Sequence, residues 1–218
     1  MAPRIDHLMW GVPDLDAGVQ AAEELFGVTP VPGGSHPGLG TRNALLGLGD
    51  GVYLEVLGPD PAQDLAGTMG EGLQRLEAPA LVTFAVATSQ LVDLADDLRE
   101  RGYRPRGPVP TQRTTPEGEV LAWDLLFVGG HSFGGLCPFF IDWRDSPHPS
   151  ATTPVGARLQ DLALGSPDAD VLAPLLADLH IPVTVTPEGE PWLRATFTGA
   201  FGDVVLSSVD ASIAMRFA

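Results

Sequence analysis

Apolar positions along the chain switch between a period near two and a period near 3.6, and the switch recurs. Residues 4–12 (Arg-Ile-Asp-His-Leu-Met-Trp-Gly-Val) predict a strand. Pro13-Asp14 then opens a helix, with Asp14 as its N-cap and Leu15, Val19, Ala22, Leu25 and Phe26 as one apolar stripe. Gly27 ends it, since glycine takes the left-handed conformation there at no steric cost. Three short strands are predicted near 28–31, 43–48 and 52–57.

The same order returns twice. Leu81 to Thr88 predicts a strand, Ser89 a helix cap, Leu91, Leu94, Ala95 and Leu98 a stripe, and Gly102 a stop. Strands follow near 103–109, 119–128 and 137–143. Ala157 to Gly165 predicts the third opening strand, and Ser166-Pro167-Asp168 a cap with proline at the first helical position. Val171, Leu172, Leu175, Leu176 and Leu179 form its stripe, with strands near 182–186, 192–198 and 203–209. The expectation is an α+β chain of three βαβββ units, 1–57, 79–145 and 155–218, joined by linkers near 58–78 and 144–156. One curled unit leaves a sheet face bare, so two are expected to pair around a cleft that holds a small molecule. The third packs on these two or on a second chain.

Composition narrows the function classes. With 12 Lys+Arg against 28 Asp+Glu and no basic cluster, nucleic acid is not an expected partner. The single cysteine, Cys137, excludes an internal disulfide and a CxxC metal site, and its apolar surroundings predict burial. There is neither a signal-peptide pattern nor an apolar run of membrane-spanning length, so a cytoplasmic protein without membrane contact is expected. No Gly-x-Ser-x-Gly nucleophile turn and no Gly-x-Gly-x-x-Gly fingerprint is present, so neither a serine nucleophile nor a nucleotide cofactor is expected.

The candidate chemistry lies in the first unit. Alternation puts Ile5, His7 and Met9 on one strand face and Asp6, Leu8 and Trp10 on the other. Glu55 sits inside the apolar run Tyr53-Leu54-Glu55-Val56, and a buried carboxyl group needs a partner. His7 and Glu55 can meet across the concave face, as metal ligands or as a base and its orienting group. Pairing with each other for purely structural reasons is the competing account. His36 lies in a Gly/Pro-rich loop with Arg42 and Asn43, where substrate-binding groups tend to gather. Trp123, Phe140 and Trp143 are the expected pocket walls, while Phe139 and Ile141 read as core. His180 is read as a helix C-terminal cap.

Ile5-Asp6-His7-Leu8, Val12-Pro13-Asp14-Leu15 and Tyr53-Leu54-Glu55-Val56 resemble the opening module of the vicinal oxygen chelate superfamily. Ser35-His36-Pro37-Gly38-Leu39-Gly40-Thr41-Arg42-Asn43, Pro138-Phe139-Phe140-Ile141-Asp142-Trp143 and His148-Pro149 resemble its glyoxalase-like branch. The resemblance implies paired modules around a cleft. It also implies a divalent ion (zinc, manganese, nickel or iron(II)) held by His7, Glu55 and, as a replacement ligand, His36. The expected activity is that of a lyase, isomerase or dioxygenase acting on a small oxygenated metabolite, with Glu55 and His7 catalytic. His36, Arg42, Asn43, Trp123, Phe140 and Trp143 would bind substrate. The second unit departs from the pattern, with Thr83 and Phe139-Phe140 at its ligand positions. Two other readings therefore stand beside the enzyme: a metal-free protein that sequesters a small molecule, and a non-catalytic module that forms a homodimer.

Overall fold

The computed structural model describes residues 3–114 and 118–208. In chain order the first unit comprises β1 (Arg4–Gly11), α1 (Leu15–Phe26), β2 (Val31–His36), β3 (Thr41–Gly47) and β4 (Tyr53–Pro59). A short helix, α2 (Met69–Gln74), crosses the 58–78 stretch. The second unit is β5 (Ala80–Ala87), α3 (Leu91–Glu100), β6 (Arg106–Thr114), β7 (Val120–Phe127) and β8 (Phe139–Asp142). The third is β9 (Ala157–Ser166), α4 (Ala169–Asp178), β10 (Thr184–Pro187), β11 (Trp192–Gly199) and β12 (Gly202–Ser207). Among the described residues no helix is long and apolar enough to cross a membrane.

Strands of the first two units form one eight-stranded sheet in the order β2-β3-β4-β1-β5-β8-β7-β6, so the chain folds as α+β. The seam is the antiparallel pair β1·β5. Each opening strand also runs parallel to the last strand of its own unit, β1 to β4 and β5 to β8. These inner strands are covered on both faces, hence their near-continuous apolar sequences. The sheet curls until its edge strands β2 and β6 approach one another, leaving a concave front.

The back of the sheet carries the larger core. Leu8, Trp10, Phe26, Leu54, Phe84, Leu98 and Phe140 are buried there, each worth about 1.5–3 kcal/mol relative to exposure. The second sheet, in the order β10-β9-β11-β12, packs on this back face against β5. Phe197 of β11 meets Phe26 of α1 edge-on at 5.6 Å, making the third unit part of the same core.

Helix ends follow the sequence in part. Asp14 caps α1 by accepting from the Ala17 amide at 2.9 Å, and Gly27 closes it at φ 73°. For α3 the N-cap is Gln90, not Ser89, and no side chain caps it. For α4 the N-cap is Asp168, which places Pro167 outside the helix; Ser166 instead accepts from the Asp168 amide at 3.1 Å. At the far end of α4, His180 takes a left-handed φ of 56° and donates its backbone N–H to Ala177 O.

A candidate active site on one wall of the cleft

Two register shifts in β1·β5 shape the site. The first lies between Ile5 and His7, so Asp6 is an extra residue in the strand. This overturns simple alternation at that point: Ile5 joins Leu8 and Trp10 in the back core, while His7 and Met9 face the cleft. The bulge also brings the Asp6 carboxylate to His7, its sequence neighbour.

Asp6 is completely buried. It accepts from His7 Nδ1 at 2.7 Å, His148 Nε2 at 3.0 Å and Trp143 Nε1 at 3.1 Å. Burial alone would raise this carboxyl's pKa; the hydrogen bonds from His148 and His7 outweigh it and hold it far below the usual carboxylate range. An ionised carboxylate only accepts, so His7 carries its proton on Nδ1 and directs Nε2 into the cleft. His148 likewise carries its proton on Nε2, and its Nδ1 accepts from the Ser150 amide at 3.2 Å.

Glu55 on β4 faces His7. Its Oε2 lies 3.6 Å from His7 Nε2, and its Oε1 accepts from Asn43 Nδ2 at 2.5 Å and lies 3.9 Å from His36 Nε2. His36 Nδ1 is 3.0 Å from Thr41 Oγ1. Burial lowers the His36 pKa, and the Glu55 carboxyl opposes it. Tyr53 stacks on the His7 imidazole at 4.7 Å. Its phenol is pushed well above its usual range by burial, with Asp6 and Glu55 acting in the same direction. Behind Asn43, a Cβ on Gly33 would come within 2.2 Å of Asn43 Oδ1, so only glycine lets β2 approach this closely.

The opposite wall is mostly apolar. Trp123, Leu125, Phe127, Phe139, Ile141 and Trp143 line a cavity of about 380 Å3 together with the polar cluster. That volume suits a small ligand. Of the residues expected at the site, His7, Glu55, His36, Asn43, Trp123 and Trp143 come together here. Arg42 does not. It points to the other face of β3 and pairs with Asp16 at 3.2 Å. Phe140 does not either: it is fully buried in the back core, and its neighbours Phe139 and Ile141 face the cleft instead. Both corrections are one-residue shifts in strand parity. Cys137 is buried as expected, and its thiol is pushed up to about 12 by that burial. The sequence reading passed over Arg113, which enters the cleft from β6, and Asp6 and His148, which orient His7. The signals were present in Arg113 alternating with Thr111 and in a carboxylate placed within a buried strand.

The implied metal site can be tested against these donors. His7 Nε2 and Glu55 Oε2 could share an ion, but His36 approaches the other carboxylate oxygen. In the second unit, Thr83 precedes α3 by the same distance as His7 precedes α1. The pair Ala85↔Phe139 then stands where Met9↔Glu55 stands in the first. The Phe139 ring contacts the His7 ring edge-on at 5.5 Å and donates nothing to a metal. Among the described residues no group of three or more His, Cys, Asp or Glu is placed to hold an ion. The set present does not fit a three-donor site.

A curled sheet of two pseudo-repeated βαβββ units around a cleft is the vicinal oxygen chelate architecture. Within it, the profile of the glyoxalase-like domain family matches residues 5–180, and the chain belongs to that family. A hypothetical protein from Staphylococcus aureus superposes with a TM-score of 0.65 at 16% identity, over 94% of this chain and 85% of that one. A variant of methylmalonyl-CoA epimerase from Streptomyces coelicolor, solved with 2-nitronate-propionyl-CoA, superposes with a TM-score of 0.50 at 22% identity, over 68% of this chain and 100% of that one. At these identities the likeness is one of fold. No curated protein matches the sequence.

Proposed function

We propose that the protein is an enzyme that moves a proton on a small oxygenated metabolite, with a lyase or isomerase outcome. The observation that carries this reading is the Glu55 carboxyl, seated in an apolar cleft with one oxygen engaged by Asn43 and the other turned toward His7. Asn43 fixes the carboxyl so that Oε2 is the reactive oxygen. The Asp6 hydrogen bond fixes His7 so that Nε2 stands beside it.

Glu55 Oε2 takes a proton from a carbon next to a carbonyl group. The C–H electron pair moves into the carbon–carbon bond and the carbonyl electrons onto oxygen, giving an enolate. Return of a proton to that carbon gives isomerisation. Departure of a group from the neighbouring carbon, with its bonding electrons, gives elimination. His7 Nε2 exchanges the abstracted proton with Glu55 between turnovers. Apolar residues opposite keep water from the carbanion-like centre.

The test is solvent deuterium exchange, read by proton NMR, over a panel of 2-oxo and 2-hydroxy acids and their esters. Exchange by the wild type that disappears in Glu55→Gln supports the reading. Exchange that persists in Glu55→Gln removes Glu55 as the base, and no exchange with any compound favours a binding protein.

In a second reading, the same wall would hold a zinc, manganese, nickel or iron(II) ion on two donors only, His7 and Glu55, without His36. The observation in its favour is the Asp6 carboxylate behind His7, the partner that commonly orients metal-ligating imidazoles. Elemental analysis of the protein and of His7→Ala separates the two readings: about one ion per chain, lost in the variant, supports the second.

A further inference from the structure

Arg113 is a charged group of the cleft that the proposed proton transfer leaves unused. It stands on β6, only 8% exposed, across from the His7–Glu55 wall. Its side chain makes no hydrogen bond or ion pair with any described residue. Six other arginines contrast with it. Arg42, Arg75, Arg99, Arg101, Arg144 and Arg158 each pair with a carboxylate at the surface. In a chain with 28 Asp+Glu against 12 Lys+Arg, acidic partners are plentiful, yet among the described residues none pairs with the buried arginine.

A buried charge without a counter-charge is unfavourable, and burial accordingly lowers the Arg113 pKa, with Tyr53 and Glu55 acting in opposition. Those two groups are near enough to be felt but outside pairing distance. The one other arginine in the cleft, Arg106, is committed elsewhere, with its guanidinium over the Phe127 ring at 5.0 Å. The unmet charge among the described cleft residues is therefore a single cation with a planar fork of donors.

We propose that the substrate is a monocarboxylate with an apolar body, and that Arg113 binds its carboxylate. This rests on the reading of the cleft as the substrate site and names the substrate class for it. A carboxylate meets the guanidinium with two parallel hydrogen bonds and cancels one charge. A phosphate monoester would bring close to two negative charges to one cation beside Glu55. Trp123, Leu125 and Phe127, on the same wall as Arg113, receive the apolar remainder of the molecule. With the carboxylate held on β6, the carbonyl and the C–H carbon beyond it are directed toward the module-one wall, where Glu55 stands.

The experiment is isothermal titration of the full chain with 4-methyl-2-oxopentanoate, with its methyl ester and with inorganic phosphate. The acid should bind, the ester and phosphate at least tenfold more weakly. Arg113→Met should weaken the acid at least tenfold and leave the ester unchanged. Glu55→Gln should retain acid binding while losing deuterium exchange. Equal binding of acid and ester, equal binding by wild type and Arg113→Met, tighter binding of phosphate, or no binding of the acid would each overturn the proposal. If Arg113→Met does not fold, Arg113→Lys decides, since it keeps the charge without the fork: several-fold weaker binding supports the assignment, and unchanged binding overturns it. Acid binding that depends on Arg113 without proton exchange sinks the Glu55 reading alone; exchange that ignores the carboxylate sinks the Arg113 proposal alone.

Discussion

The two modules of the cleft share a backbone and differ in what they place on it. Module one puts His7 and Glu55 at equivalent strand positions where module two puts Thr83 and Phe139. One wall is a network of hydrogen-bonded titratable groups, and the other is aromatic and aliphatic apart from Arg106, Thr111, Gln112 and Arg113 of β6. The fold supplies positions, and the side chains at those positions decide whether a wall does chemistry or only shapes the pocket.

The largest expected effect falls on the reactive wall. Glu55→Gln should lower proton exchange about 100-fold or more, with the circular dichroism spectrum unchanged. A loss below about tenfold would mean that the two walls do not divide the work in this way.

Stability comes next. Phe139→Ala deletes a buried ring and should cost about 3–5 kcal/mol by denaturant titration. Asp6→Asn leaves its imidazole and indole donors without a carboxylate, and should cost about 3 kcal/mol. That variant should also respond differently to acid. The folded Asp6 carboxyl titrates below its ordinary value of 3.8, so the unfolded chain binds this proton first as pH falls. Its stabilising contribution is complete above about pH 4 and is lost as pH falls through the folded value. Wild-type Tm should therefore drop more steeply below pH 4 than that of Asp6→Asn.

Smaller effects test how the walls are supported. Gly33→Ala pushes a methyl group against Asn43 and should reduce exchange several-fold by displacing that side chain, with every residue that lines the cleft retained in sequence. For α1, Asp14→Ala should cost about 1 kcal/mol. Gln90→Asp, which would give α3 the side-chain cap it lacks, should stabilise by a few tenths of a kcal/mol to about 1 kcal/mol. A Gln90→Asp variant that is no more stable would show that the two helices are not limited by their caps.

Much of this was legible in the sequence because each helix stripe and each apolar strand reports burial directly. Leu15 to Phe26 reads as one helix on any hydrophobicity pattern. What failed was parity and edge. Residues 32–36 read as a loop because Pro and Gly discourage strands, yet they belong to β2, an edge strand where a missing donor costs little. The bulge at Asp6 moved Ile5 to the back core, and nothing local to the sequence marks an extra residue in a strand. Arg42 and Phe140 were chosen where Asn43 and Phe139 face the cleft, each one residue away. Arg113 lies beyond the strand predicted near 103–109, where alternation assigns it no direction, whereas β6 extends to Thr114. The pairing of Asp6 with His148 spans 142 positions, and only the folded chain brings the two together.

That pairing ties the first module to the chain that follows the second. Two of the three donors to Asp6, Trp143 and His148, follow the last strand of the second module. A first module standing alone would bury this carboxylate with His7 as its remaining partner. An ancestor built from one module could carry Asp6 only if a second copy filled the vacancy from outside. Within one chain the same partnership is a fixed internal bond. Separated halves of the present chain, expressed together, should accordingly recover a buried Asp6 only by finding each other.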